Sequence, residues 1–372
     1  MIDTTIPVTM RAWVATTAEA PIEFVEVPVP QPGPDDVLIK VAAGGISPML
    51  LKLLRMGRYG VLPTILGHET AGVVVAVGEN VRGDLLGTRV RVHPMLSCRR
   101  CEYCLTDREQ MCDQTAMIGA AAHGGVSPLY DEYHDGGLAD YVRVPSWLVD
   151  EIPEGVSFEV AAKLHDLANA YRALNTARIP VGGTLVVTAA TGAMATASLL
   201  LAPHVGVGRV ILVGRARERL DQVAALAAGR VAVDVIATDD LADDWEQTGA
   251  LTGAIRELVP AGPHAVLDFL AQGTGATQSL KSLRMGGTLV HMGGLHTPID
   301  VPLRILMNYL WTVAGTRACT RGDVRAVLRL LESGALNADA LITHRWPLTQ
   351  ADIAFDTLMS RREPIWMGVV TI

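Results

Sequence analysis

Four cysteines crowd into one short stretch of this chain. Cys98, Cys101, Cys104 and Cys112 stand as C-x2-C-x2-C-x7-C within SCRRCEYCLTDREQMC. Four thiolates at this spacing can close a tetrahedral shell around a zinc ion with no position left open, so the metal would fold a lobe, about residues 95–115, instead of performing chemistry. The rival arrangement, a disulfide framework, suits small secreted proteins. This chain has 372 residues, begins with the polar MIDTTIPVTMR and shows no charged-then-apolar leader. Reduced zinc ligands and a cytoplasmic location are therefore expected. The fifth cysteine, Cys319, has no partner nearby in sequence and reads as an ordinary buried or partly buried thiol.

A chain this long exceeds what one hydrophobic core usually organises, which points to two domains. A formal charge of -8, with no sustained Lys/Arg run, excludes a nucleic-acid surface. The longest apolar stretches, MATASLLLA and ILMNYLWTVAG, are shorter than the roughly 20 residues that span a bilayer, so no membrane partner is expected and the protein should be soluble.

Strand signals broken by Gly and Pro fill the first third: MRAWVAT, IEFVEVPVP, DVLIKVAAGGI, AGVVVAVG and RVRVHP. Their alternation predicts an antiparallel, barrel-like domain. From about Val160 the strands GTLVVTAA, RVILVG, VDVIA, AVLDFL and GTLVHMGG alternate with helical segments, the pattern of a parallel sheet covered on both faces. After about Val313 a helix and the strands LITHRWPL and WMGVVTI return the chain to the first domain, and residues 1–9 read as a loose extension.

Strand TLVVTAA runs through Ala190, Thr191, Gly192, Ala193, Met194 and Ala195 into a helix. Strand, tight turn and helix form a dinucleotide fingerprint, in which pyrophosphate sits on the N–H groups of the helix N-terminus. Of its three glycines only Gly192 is kept. The next strand ends at Gly214, where an NAD enzyme carries an acid, and Arg215, Arg217 and Arg219 follow. Losing the acid and gaining guanidinium groups favours NADP over NAD. Arg215 is the assigned phosphate ligand; Arg219 joins it as a candidate, and for Arg217 and Arg219 a solvated helix start is the alternative.

Together, LGHETAGVVVAVG from Leu66, the four-cysteine lobe, GGLADYV from Gly136, AAKLHDLANAYRAL and the cofactor turn resemble the zinc-type medium-chain dehydrogenase/reductase superfamily over nearly the whole length. That superfamily includes alcohol dehydrogenases and quinone or enoyl reductases. The resemblance implies an α/β protein, with a GroES-like β-barrel catalytic domain formed by residues 1–165 and 313–372 and a Rossmann doubly wound parallel-sheet cofactor domain formed by residues 166–312. It implies an active site between the two, Gly293 and Leu295 among the cofactor contacts, and homodimers or homotetramers pairing near YLWTVAGTRA.

In that family a catalytic zinc takes its first ligand from a Cys, its second from the His of a Gly-His-Glu motif and a third from a Cys or Asp. The matching residues here are Ser47, His68 (followed by Glu69) and His165, six residues before Tyr171. Two imidazoles and a carboxylate from Glu69 or Asp166 form a recognised zinc set, although a serine hydroxyl is a poor replacement for thiolate. The relay is altered too: Met49 stands where a relay Ser or Thr is usual, and Lys52 where some relatives carry a histidine. Segment GISPMLLKLLRMGRYGVLP also resembles zinc-free quinone reductases, where Ser47, His165 or Tyr171 would supply the proton. Asn169 matches a family Thr beside the nicotinamide. The pocket wall implied by the resemblance includes Met49, Leu295, Leu310 and Trp311, with Trp147 as a further candidate, and suits a hydrophobic substrate. His93, His123, His134 and His296 are weaker candidates; His93 reads as a packing or surface residue.

These residues point to an NADP(H)-dependent alcohol dehydrogenase or carbonyl reductase with a structural zinc and, where the His set holds one, a catalytic zinc. Two alternatives remain open: a zinc-independent reductase of a conjugated C=C bond (enone, quinone or iminium), and a non-catalytic NADPH-binding sensor.

Overall fold

In a computed structural model of the chain, residues 6–122, 127–294 and 298–372 are described; His123, Leu295 and His296 lie outside them. Tertiary contacts divide the chain into two compact units, Met1–His165 with Cys319–Ile372, and Asp166–Ala318.

The first unit is organised around strand Asp36–Ile46, which pairs antiparallel with Thr70–Val77, Tyr141–Pro145 and Met367–Thr371. Val37, Ile39, Val41, Val74, Val90, Val92, Val142 and Val144 pack into its core, where β-branched side chains fit a pleated surface. The last strand, Met367–Thr371, joins this sheet beside Ile46, so the C-terminus does return to the first unit. It pairs in parallel with Ile342–Pro347, an exception to the antiparallel expectation that helix Ala351–Ser360 makes possible as a crossover. Of the expected extension, residues 1–5 lie outside the described residues, and Thr9 already pairs with Pro28 at the end of a small separate sheet.

The cysteine segment is closed at its base by the antiparallel pair Met95–Leu96 and Ala116–Met117. This neck fixes where the loop leaves and re-enters the body. Within it, Arg99 and Asp107 adopt left-handed backbone, with φ of 60° and 53°, and turn the chain back on itself.

The second unit is a six-stranded parallel sheet in the order Ala232–Ala237, Arg209–Gly214, Thr184–Val187, Ala265–Asp268, Thr288–His291, Thr312–Gly315. Because Thr312–Gly315 completes this sheet, the return to the first unit falls at Cys319 and not at 313. Strand order runs one way from Thr184–Val187 for the first three strands and the other way for the last three. That reversal opens a crevice at the carboxyl ends of Thr184–Val187 and Ala265–Asp268, where doubly wound sheets bind ligands. Among the described residues no helix is long and apolar enough to cross a membrane.

Candidate functional site

The four lobe cysteines converge. Their Sγ atoms all lie within 4.8 Å of one another, with Cys101 to Cys104 at 3.5 Å and Cys98 to Cys104 at 3.9 Å. A tetrahedral shell with Zn–S bonds near 2.3 Å has edges of about 3.8 Å, so these sulfurs fit a zinc ion with little adjustment. The backbone N–H groups of Arg100 first, then Cys101, stabilise the Cys98 thiolate and hold its pKa down to about 6. Among the described residues this is the one group of three or more His, Cys, Asp or Glu whose ligand atoms come together in this way.

The second expected set, Ser47, His68, Glu69 and His165, does not assemble as a metal shell. Ser47 is the N-cap of helix Pro48–Arg55, and its hydroxyl accepts the backbone N–H of Met49 at 3.4 Å. Proline at the first helical position and serine before it are a start signal, so the sequence commits this hydroxyl to the helix. Glu69 is fully buried, and its Oε2 accepts a hydrogen bond from the Lys163 ammonium at 2.7 Å. Gly45 makes room for that pair: a Cβ there would fall 2.4 Å from Glu69 Oε2 and 2.9 Å from Lys163 Cδ. With its carboxylate neutralised by a buried cation, Glu69 is a poor ligand for a divalent ion.

His68 and His165 are buried edge to face, with ring centroids 5.4 Å apart at 89°. On its other side His165 Nδ1 lies 3.6 Å from Cys319 Sγ. Cys319 therefore does have a partner, one 154 residues away in sequence. Burial pushes the Cys319 thiol up to about 12, so it remains protonated at neutral pH and its S–H can serve as donor to Nδ1. Burial also holds His165 well below its ordinary pKa, helped by His68, Arg91, His93 and Lys163. A neutral imidazole whose Nδ1 accepts carries its proton on Nε2. The family-implied catalytic zinc does not fit this donor set, since the hydroxyl, the carboxylate and one imidazole nitrogen are each engaged elsewhere.

Beside this cluster, Arg91 is fully buried and bonds Asp150 at 3.1 Å, while Arg321 bonds the same carboxylate at 2.6 Å and also donates to the carbonyls of Trp147 and Val149. Thr320 and Asp323 form a capping box at the start of helix Arg321–Glu332. Cap and ion pairs together fix Cys319, two residues before Arg321, against His165. His93 is buried among these groups, its pKa held down by burial and then by Arg91 and Arg321. Neither ring nitrogen of His93 has a hydrogen-bond partner among the described residues. Of these participants, sequence reasoning missed Lys163, Arg91, Asp150 and Arg321. A lysine inside the apolar run VAAKLHDLANA was a visible signal; its partner was not.

Asp166, Asn169 and Tyr171 belong to the second unit, on helix Leu164–Ala177. Asn169 Oδ1 is buried with no hydrogen-bond partner among the described residues. In the same unit, strand Thr184–Val187 leads through Ala190, Thr191 and Gly192 into helix Ala193–Leu201. Gly192 is its N-cap in extended backbone with no side-chain cap, leaving the N–H groups of Ala193 and Met194 for a ligand. Ala190 is fully buried and its N–H bonds Val213, which ties the turn to the neighbouring strand. Gly214 ends that strand and Arg215 is exposed next to it. Arg217 pairs with Asp240 at 2.6 Å, as a helix start would, and Arg219 lies two residues further along the same helix.

The expected pocket wall divides. Met49 and Leu310 are exposed, at 37% and 67%, whereas Trp311 packs into the core of the second unit with its indole N–H on the Arg284 carbonyl at 2.9 Å. The polar tip of Trp311 is thus satisfied inside the unit, as a buried indole requires. Trp147 packs against the first unit's core beneath Arg99. His134 is tied to the Asp131 carbonyl and to the edge of Tyr130.

Residues 33–154 match the family model of the alcohol dehydrogenase GroES-like domain, and residues 193–333 match that of zinc-binding dehydrogenases. Sorbitol dehydrogenase of Bombyx mori is 27% identical over 344 residues, 91% of this chain and 92% of the relative. A Sinorhizobium meliloti protein described as a zinc-binding dehydrogenase, solved bound to NADP, superposes with a TM-score of 0.82 at 26% identity, covering 98% of this chain and 99% of that one. The cobalt- and zinc-bound alcohol dehydrogenase of Pyrobaculum aerophilum superposes with a TM-score of 0.80 at 26% identity, covering 98% and 100%.

Proposed function

Because the chain belongs to the zinc-type medium-chain dehydrogenase/reductase superfamily, we propose that it is an NADP(H)-dependent alcohol dehydrogenase or carbonyl reductase acting on a hydrophobic small molecule, with one zinc ion per chain. Zinc sits in the cysteine lobe and has a structural task. The dinucleotide lies on Gly192–Met194 with its 2'-phosphate on Arg215, and supplies or accepts hydride at the substrate carbon. On this reading the protein is cytoplasmic and a homodimer or homotetramer.

One observation supports the metal-free character of the reaction centre above others: the buried Lys163–Glu69 pair, which neutralises one of the two carboxylates, Glu69 and Asp166, that a second zinc could use. In place of a Lewis acid, the substrate oxygen is stabilised by protein donors, with the neutral His165 Nε2–H as the assigned one and Cys319 holding it in that tautomer. Fixed donors in a dry site stabilise a developing oxyanion without reorganising. Ser47 contributes through its helix cap and not as a ligand. Asn169, with a buried unbonded carbonyl oxygen, is assigned to cofactor or substrate amide recognition.

The same pair also favours a second reading, reduction of a conjugated C=C bond, which needs an acid for the α-carbon and no metal. Product analysis with an enone separates the two: an allylic alcohol supports the first, a saturated ketone the second. Metal analysis tests the shared premise, with about one zinc per chain expected and about two overturning it. For the cofactor, Arg215→Asp should weaken NADPH binding about tenfold with little change for NADH, as expected when a charge-assisted contact is lost. Equal affinities before and after the change would remove Arg215 from the phosphate site.

A further inference from the structure

Three residues outside the assigned cofactor loop meet at the carboxyl edge of the parallel sheet. Thr188 follows strand Thr184–Val187, Asp268 ends Ala265–Asp268 and His291 ends Thr288–His291, and these three strands are neighbours. Asp268 and His291 stand opposite one another in the strand register. Asp268 is fully buried, and both its oxygens are engaged: Oδ1 accepts the Thr188 hydroxyl at 2.6 Å and Oδ2 bonds His291 Nδ1 at 2.6 Å. Thr188 is anchored in turn, its Oγ1 accepting the Phe269 N–H at 3.1 Å.

A carboxylate flanked by these groups only accepts, so His291 Nδ1 carries the proton; the hydrogen bond to Asp268, then the charge of that carboxylate, raise the ring's pKa, and in the neutral form Nε2 presents a lone pair. Nε2 now accepts the Gly294 backbone N–H at 3.3 Å, a long bond that a better donor can replace. The loop beyond is held low over this edge, for a Cβ on Gly293 would fall 2.3 Å from the Phe269 carbonyl carbon. His291 keeps 27% of its side chain accessible, so the imidazole is both oriented from beneath and open above. An oriented, half-exposed imidazole on a buried carboxylate at a ligand-binding edge is costly to keep unless something is bound there.

We propose that His291 is a cofactor-contact residue whose Nε2 accepts a hydroxyl of the nicotinamide-side ribose, and that Asp268 and Thr188 are its positioning residues. This inference rests on the dinucleotide reading above. In a doubly wound sheet each half binds one mononucleotide. The half containing Gly192, Gly214 and Arg215 takes the adenosine side, which leaves the edge of Ala265–Asp268 and Thr288–His291 to the other ribose.

Half-molecules of the cofactor make the test specific. Titration of the full chain with NADPH and with 2',5'-ADP, and in parallel with NADH and 5'-ADP, separates the two sides. His291→Ala should weaken the whole dinucleotide roughly three- to tenfold, the range of one lost hydrogen bond, and leave the half-molecule's affinity unchanged. His291→Gln, which keeps an acceptor near the Nε2 position, should lose less, and Asp268→Asn should reproduce the same selective loss by releasing the ring. Equal weakening of whole and half cofactor would mean a merely structural role and overturn the inference, as would unchanged NADPH and NADH binding in His291→Ala. If the unaltered chain binds none of the four probes, it is the dinucleotide reading that fails.

Discussion

Within the first unit, two places gather residues that commonly hold metal, and they end differently. In the cysteine lobe, four sulfurs from one short segment converge on a common centre, and the surrounding backbone supplies N–H groups that favour the thiolate form. In the His68 cluster the other candidate ligands are engaged elsewhere: Ser47 by a helix start, Glu69 by Lys163, and one nitrogen of His165 by Cys319. Residue type and position in a motif are therefore not enough to make a ligand. A side chain is available to a metal only when the fold gives its lone pair nothing else to do, and a buried ammonium 2.7 Å from the carboxylate is a strong competitor.

The sharpest way to break this contrast is to remove the lobe. Cys101→Ser with Cys104→Ser should take zinc content from about one ion per chain to about none and lower the melting temperature by on the order of 10 °C, since structural zinc contributes directly to folding. Metal analysis that still found one ion would place it in the His68 cluster and reverse the comparison.

Next in size is the ion pair. Lys163→Met strands a buried carboxylate and should cost about 3–5 kcal/mol in urea unfolding, while Lys163→Met with Glu69→Met should cost less than the single change. Additive costs in the two would show that the pair is not the interaction that engages Glu69.

Ser47→Ala probes the smallest effect. Loss of the cap should cost about 1 kcal/mol and leave the zinc content untouched. A fall in zinc would instead restore Ser47 as a ligand.

How far each feature could be read depended on how locally it was encoded. Pairing of Thr184–Val187 with its parallel neighbours followed from apolar runs alternating with helices, and the tight turn through Gly192 followed from small residues between strand and helix. His165 was picked out by its distance from Tyr171, but the partner of its Nδ1 is Cys319, which arrives from 154 residues later. Lys163 was visible only as a charge in an apolar run, with Glu69 lying 94 residues before it. Trp311 was expected at a pocket wall by resemblance to relatives, while the carbonyl its indole N–H bonds, that of Arg284, could not be read from the sequence.

By itself, then, the sequence determined the two-part layout, the four-sulfur lobe and the loop suited to a dinucleotide, because each is set by spacing within a few turns of chain. Only the tertiary structure decided which partners Ser47, Glu69, His165 and His291 have. Their partners are brought in by packing between distant strands and helices, and it is the choice of hydrogen-bond partner in a buried, low-dielectric setting that fixes whether such a group serves as metal ligand, proton donor or support.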